Sequence, residues 1–244
     1  MKSEKVLSVI MPLYNEEKTV ALTIADVLAR PETAELIVVD DCSTDKSLEI
    51  VEELAKKDSR IKIFKNEKNK GKGYSLRKGF EHATADIVII QDADREYSPS
   101  DYPILIRPIL EGKADVVYGS RFHGGPGRVL YFKHQLGNKF LTFISNLLTD
   151  LNFTDMETCY KVFKREVIQN IKLESDRFGF EVEITAKIAK NRKLRIFEVP
   201  ITYNGRTYEE GKKITWRDGI AALFHMIKFN IFTGTKDSFK NPID

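Results

Sequence analysis

Five short aliphatic runs recur through the first half of the chain: VLSVIM at 6 to 11, ELIVVD at 35 to 40, IKIF at 61 to 64, DIVII at 86 to 90 and DVVYG at 115 to 119. Several are apolar at successive positions rather than alternate ones, the pattern of parallel strands covered on both faces. Helical spacing fills the intervals 16 to 30, 44 to 57, 73 to 83 and 100 to 111. Strand and helix therefore alternate. That rhythm predicts an α/β protein with a doubly wound, mostly parallel sheet and helices on both faces. Ligands of such a sheet bind beyond the carboxyl ends of its strands.

The rhythm breaks near residue 120. GSRFHGGPGRV is a Gly-rich basic loop, and YFKHQLGNKFLTFISNLL is a helix with apolar residues around much of its surface. DRFGFEVEITAKIAKN predicts another helix, LRIFEVPITY a strand, NGRTYEEGKK a polar loop and TWRDGIAALFHMIKFNIF a last amphipathic helix. No linker, repeat or low-complexity tract separates the halves. The expectation is one domain over 1–244, with an N-terminal half at 1–119, a second half at 120–215 and a C-terminal helix and tail at 216–244. The aromatics Phe132, Phe140, Phe143, Trp216, Phe224, Phe229 and Phe232 read first as core.

The 244 residues, 42% hydrophobic, suffice for a full core. Lys and Arg total 39 against 36 acids, so the net charge of +3 gives no argument for a nucleic-acid partner. Cys42 and Cys159 show neither CxxC nor zinc spacing, which suits a reducing compartment. The apolar run after the first charges is shorter than the ~7 to 15 residues of a secretion signal. No window reaches the ~18 apolar residues of a membrane span. The expected location is cytoplasmic.

Chemistry concentrates at two strand ends. VIIQDADREYSP sets Asp92 and Asp94 one residue apart where an apolar strand leaves the core, and VVDDCSTD closes another strand with Asp40 and Asp41. Mutually repelling acids in one crevice require a cation, and Mg²⁺ or Mn²⁺ can be held by one or two carboxylates plus the phosphates of a ligand. The first strand runs into PLYNEE rather than G-x-G-x-x-G, which excludes the nicotinamide-dinucleotide class, and no G-x-x-x-x-G-K-[ST] loop supports an ATPase. A nucleoside diphosphate linked to a transferable group fits what remains. The turn NKGKG is open to two readings, a helix start whose glycines supply φ freedom or a nucleotide contact through Lys72.

The blocks SVIMPLYNEE, IVVDDCSTD, NKGKGYSLRKGF, DIVIIQDAD and VVYGSRF stand in the order and approximate spacing of the family 2 glycosyltransferases of GT-A fold. The chain resembles most the dolichyl-phosphate and polyprenyl-phosphate sugar transferases, over about residues 5 to 215. The resemblance implies that Pro12, Tyr14 and Glu16 floor the nucleotide site and that Asp40 and Asp41 read the base. It implies that Asp92 and Asp94 form the D-x-D motif at diphosphate and metal, with Glu96 as a third metal ligand where the family often has Gln. Arg206 and Lys212 or Lys213 match the basic loop over the diphosphate. Arg121, Arg128, His134 and Asn138 fall on the acceptor side, where His134 and Asn138 replace the family's Arg and Ser; Lys133 adds a cation.

Such a site displaces a nucleoside diphosphate from the anomeric carbon with inversion. A lipid-phosphate acceptor is already anionic and requires cations rather than a base, whereas a glycan hydroxyl requires a carboxylate base, for which TDMETCYK offers Asp155 and Glu157. The basic loop ahead of a greasy helix favours the lipid phosphate, met at a membrane surface through the helices near 131 to 148 and 216 to 232. Glu181 and Glu183 either line the acceptor side or face water. The rival classes are a nucleotidyltransferase making the sugar nucleotide, disfavoured by the missing triphosphate loop, and a non-catalytic nucleotide-binding module.

Overall fold

The computed structural model describes residues 6–129, 131–177, 179–207, 209 and 216–241. Its parallel strands are β1 (Leu7–Leu13), β2 (Thr33–Asp40), β3 (Ile61–Lys65), β4 (Ile87–Ile90), β5 (Val116–Ser120) and β7 (Ile196–Pro200); β6 (Lys161–Lys164) is antiparallel to its neighbours. They form one seven-stranded sheet in the order β3-β2-β1-β4-β6-β5-β7. Consecutive residues of β4 are all buried, as are those of β1 and β2 apart from half-buried Pro12 and Ala34. Because side chains alternate between faces, both faces of these strands are covered, which is why their sequences show no polar alternation. Each such Val, Leu or Ile contributes about 1.5–3 kcal/mol by leaving water.

The intervening helices are α1 (Val20–Leu28), α2 (Ser47–Ala55), α3 (Lys72–His82) and α4 (Tyr102–Leu110). α3 lies so close to the sheet that a Cβ on Gly79 would stand 2.3 Å from the Ile10 side chain. The strand ends at Leu13, Asp40, Ile90, Ser120 and Pro200 put the following residues along one edge, where the site forms.

β6 and the short α6 (Arg165–Asn170) after it are absent from the sequence reading. KVFK is four residues long and half lysine, so it looks exposed. Lys161 is nevertheless fully buried, its ammonium donating to the carbonyls of Met156 and Thr158 and lying over the Tyr118 ring. Those acceptors satisfy the charge that would otherwise forbid the position.

The remaining elements are a 3-10 turn (Pro99–Asp101), α5 (Phe132–Thr149), α7 (Phe180–Ala189), α8 (Trp216–Ile227), a π-helical turn (Lys228–Phe232) and α9 (Thr235–Ser238). Every residue of α7 is buried. α5 and α8 pack on it through a small cluster around Met156, Val182, Ala222 and Met226. Their outer faces remain apolar. Phe132 is 74% exposed, Phe224 70% and Phe232 78%, and Phe140 and Phe143 are exposed too, so these five are not core. Phe229 is core: it is fully buried, stacked on His225, with the Lys187 and Lys228 ammoniums over its ring. The side chain of Trp216 lies outside the described residues. Among the described residues, no helix is long and apolar enough to cross a membrane.

Candidate active site

β4 ends at Ile90, so Asp92 and Asp94 sit in the turn beyond it rather than on the strand. The turn is set by Arg95 in the left-handed region (φ 64°) and by the Glu96 N–H donating to Asp94 Oδ1 at 3.0 Å. Each aspartate meets a different cation. Lys72, the first residue of α3, donates to Asp92 Oδ2 at 3.0 Å and stands 3.2 Å from Glu181 Oε1 on α7. Burial alone would lower the Lys72 pKa; the charges of Asp92 and Glu181, with the hydrogen bond to Asp92, raise it well above its ordinary value.

The glycines flanking Lys72 have steric work of their own. Gly71 has φ 98°, and a Cβ there would lie 2.5 Å from the Asp176 carbonyl oxygen; a Cβ on Gly73 would lie 2.2 Å from that of Ser175. The turn thus presses against the 175–176 backbone and aims Lys72 across the crevice. Asp41 braces the same turn, accepting from Asn66 Nδ2 (2.9 Å), Lys70 N (2.8 Å) and Gly71 N (2.7 Å). Asp40 accepts from the Ser43 N–H at 3.2 Å. Tyr14 is partly exposed on the loop after β1, and Pro12 is half-buried within it.

Arg206, from the segment after β7, gathers three acids. Its Nη1 donates to Glu16 Oε2 at 3.1 Å and its Nη2 to Asp94 Oδ2 at 3.0 Å, while its backbone N–H donates to Glu96 Oε1 at 2.9 Å. The Tyr203 hydroxyl donates to Glu96 Oε2 at 2.9 Å. Despite its ion pair, the Asp94 carboxyl is pushed up to about 7, because burial and the charges of Asp92 and Glu96 outweigh Arg206. Among the described residues no three His, Cys, Asp or Glu side chains are arranged to hold a metal ion by themselves. An under-neutralised pair of hard oxygen donors, Asp94 and Glu96, still suits a divalent ion that takes its other ligands from phosphates. Lys212 and Lys213 lie outside the described residues.

Just past β5, Arg121 and Asp155 form a two-pronged pair, Nε–Oδ2 at 2.6 Å and Nη2–Oδ1 at 2.7 Å, with the Arg121 N–H also donating to Oδ2 at 3.0 Å. Asp155 is fully buried, so it is unavailable as a base and matches the charge of Arg121. Glu157 differs. Burial, reinforced by the charge of Glu181, pushes its carboxyl up to about 7 against the opposing pull of Lys161, and its Oε1 has no hydrogen-bond partner. Arg128 donates to the Gly205 carbonyl at 3.2 Å. His134 and Asn138 occupy the inward stripe of α5 that continues into buried Thr142 and Ser145, and His134 lies against the Tyr131 ring.

The reading of Glu181 and Glu183 as water-facing does not hold: Glu181 pairs with Lys72, and Glu183 is buried with Lys187 at 2.6 Å. Acids placed in an otherwise apolar helix, FEVEITAKIA, are the signal that marks them. Nothing local to the chain reveals the Arg121–Asp155 pair.

The model for Glycosyl transferase family 2 matches residues 8–172. The low-salt glycan biosynthesis hexosyltransferase Agl6 of Haloferax volcanii is 33% identical over 208 residues, 83% of this chain and 49% of the relative. The dolichol-phosphate mannosyltransferase of Pyrococcus furiosus is 28% identical over 215 residues, 84% of this chain and 58% of the relative. The chain thus spans about half the length of these relatives, 49% and 58%. Among solved structures, glucosyl-3-phosphoglycerate synthase from Mycobacterium tuberculosis, in complex with Mn²⁺, uridine diphosphate and glucosyl-3-phosphoglycerate, superposes with a TM-score of 0.73 at 20% identity, over 94% of this chain and 81% of that one. That likeness is one of fold, and the fold is GT-A. With acids at the ends of β2 and β4 and a family match running from β1 through α6, the chain belongs to glycosyl transferase family 2.

Proposed function

We propose that the protein is an inverting glycosyltransferase that moves a sugar from a nucleoside-diphosphate sugar to a polyprenyl or dolichyl phosphate, at the cytoplasmic face of a membrane. The observation that carries the donor half is the convergence of Asp92, Asp94 and Glu96 with Lys72 and Arg206 at the carboxyl edge of the sheet. Asp40, Pro12, Tyr14 and Glu16 flank the nucleotide, while Asp41 holds the turn that carries Lys72. Asp94 and Glu96 are the residues to hold Mg²⁺ or Mn²⁺, with Asp92 beside the diphosphate. A bound divalent ion supplies charge neutralisation of the leaving group. Arg206, and Lys213 by resemblance, add cationic charge next to the diphosphate as it departs, where charge grows most in the transition state. Lys72 fixes the Asp92 carboxylate so that it meets the donor without rearrangement.

The acceptor half rests on the exposed apolar stripes of α5 and α8. Phe132, Phe140 and Phe143 on one helix and Phe224 and Phe232 at the end of the other face outward, with Lys133, Lys139 and Lys228 nearby in the chain. This pairing of apolar surface and cations suits an interfacial helix pair on an anionic bilayer. His134 and Asn138, on the inner stripe of α5, with Arg128 and Arg121, then lie where an acceptor phosphate would enter. The Pyrococcus furiosus relative, a dolichol-phosphate mannosyltransferase, is consistent with that acceptor. The phosphate oxygen is the nucleophile, already ionised, and attacks the anomeric carbon as the diphosphate leaves.

Glu157 supports a second reading. A carboxyl held at about 7 is poised to take a proton near neutral pH, as transfer to a glycan hydroxyl requires. The two are separated by incubating Glu157→Gln and wild type with a panel of nucleotide sugars, each with a short polyprenyl phosphate or a glycan. Lipid-stimulated release of nucleoside diphosphate that survives Glu157→Gln supports the first reading; release that needs a glycan and is lost in the variant replaces it with the second.

A further inference from the structure

The oxygens proposed to receive the divalent ion already surround a cation of the chain itself. Asp94 Oδ2 accepts from Arg206 Nη2 at 3.0 Å, and Glu96 Oε1 lies 3.6 Å from Arg206 Nε and accepts from the Arg206 backbone N–H at 2.9 Å. Glu16 takes the remaining face of the guanidinium, at 3.1 and 3.3 Å. The fit is incomplete: Arg206 Nε is buried and makes no hydrogen bond. A guanidinium has donors in a rigid fork and prefers carboxylates or phosphates that it can grip with two of them. Here it grips Glu16 with two donors, and its further contacts with Asp94 and Glu96 leave Nε without a hydrogen bond.

Asp92 presents the contrast. Its cation, Lys72, comes from a turn locked by the 175–176 backbone and by Asp41, and is shared with Glu181. Arg206 is held differently: its segment is tied by the Asn204 N–H on the Glu96 carbonyl, the Tyr203 N–H on the Pro126 carbonyl and Arg128 on the Gly205 carbonyl, while its guanidinium is met by the three acids themselves.

We infer that Arg206 is the resident counter-ion of the donor site, and that the species the site takes is the divalent ion already complexed to the nucleoside-diphosphate sugar rather than the free ion. The inference rests on the donor reading proposed above. A free ion must compete with Arg206 for Asp94 and Glu96 and meets a positive charge at those oxygens. An ion arriving with a diphosphate brings a new anionic partner for the guanidinium. Arg206 then passes from the carboxylates to the diphosphate oxygens without its charge ever lacking an anion. No covalent bond changes in this exchange. One side chain thereby offsets part of the acidic charge before the donor arrives and stabilises the leaving group afterwards. By linkage, the ion and the diphosphate must raise each other's affinity equally.

The test is Mn²⁺ binding, read from the electron paramagnetic resonance signal of the free ion. It is measured for the wild type, Arg206→Gln, Arg206→Lys and Asp94→Asn, each alone and with GDP or UDP, with thermal melts to verify folding. The wild type is expected to bind Mn²⁺ weakly alone and roughly tenfold or more tightly with a nucleoside diphosphate, within the range usual for coupled sites. Arg206→Gln is expected to bind Mn²⁺ alone about tenfold more tightly than the wild type, as expected when a competing state is removed, and to lose most of the gain from nucleotide. Arg206→Lys falls between. If Arg206→Gln binds Mn²⁺ alone no better than the wild type, or keeps the full nucleotide gain, the exchange is wrong even though the donor reading stands. If the wild type binds neither GDP nor UDP with Mn²⁺, or Asp94→Asn binds them equally well, the donor reading itself fails and the exchange with it.

Discussion

In the sheet between β3 and β4 the apolar side chains are inside and most of the charge is outside, whereas the helices α5, α7 and α8 depart from that order in two ways. α7 buries Glu181, Glu183 and Lys187, while α5 and α8 turn phenylalanines to the surface. Buried charge is costly unless paired, and exposed apolar patches mark interaction surfaces. The first region is thus a conventional core, while the second combines paired buried charge with an uncovered apolar face. The site lies on the seam, where Lys72 from the first region grips Glu181 from the second.

The seam is broken most severely by Asp94→Asn, which removes the carboxylate proposed to meet ion and diphosphate. Nucleoside-diphosphate release should fall by roughly 10²- to 10³-fold or more, with the melting temperature preserved. Next is Lys187→Met. Lys187 and Glu183 are both fully buried at 2.6 Å, so leaving Glu183 without its partner should cost about 3–5 kcal/mol in chemical denaturation.

pH separates the regions by sign. Burial alone would raise the Glu35 pKa, but hydrogen bonds from Lys62, Ser8 and Thr84 outweigh it and hold the carboxyl at about 2. Its native pKa lies below its unfolded one, so its contribution is present above about 4.5 and is lost as pH falls toward 2. Glu157 is raised to about 7, so the native state keeps a proton that the unfolded chain releases, and stability declines as pH rises from 4.5 to 7. Glu35→Gln should flatten the acid limb, and Glu157→Gln should stabilise the protein at pH 8, each by on the order of 1–2 kcal/mol. Denaturation midpoints measured from pH 3 to 8 check both signs.

The smallest effect on folding is expected at the outward phenylalanines. Phe224→Glu with Phe232→Glu should change stability by about 0.5 kcal/mol or less, yet abolish sedimentation with anionic liposomes. Phe229→Glu, buried beneath Lys187, should instead unfold the protein and is no probe of membrane contact.

The same contrast explains what the sequence discloses. Strands β1 to β5 begin and end within two residues of their apolar runs, and in β1, β2, β4 and β5 burial on both faces leaves a nearly uninterrupted signature. The acids at the ends of β2 and β4 are legible for a related reason: they interrupt that signature abruptly. β6 was hidden because a lysine reads as exposed unless its carbonyl acceptors are known. The Arg121–Asp155 pair joins residues 34 positions apart, and only the placement of β6 between β4 and β5 brings the segments together. The outward phenylalanines resembled core because an amphipathic pattern shows that a helix has an apolar face without naming what covers it.

The central claim is that Asp94 and its neighbours serve a divalent ion in releasing a nucleoside diphosphate from its sugar. The most direct measurement is release from GDP-mannose, UDP-glucose and UDP-N-acetylglucosamine in Mg²⁺, in Mn²⁺ and in excess chelator, each with polyprenyl phosphate. Release from at least one donor in the presence of an ion, and its loss in chelator, is the predicted result. Undiminished release in chelator would contradict the account.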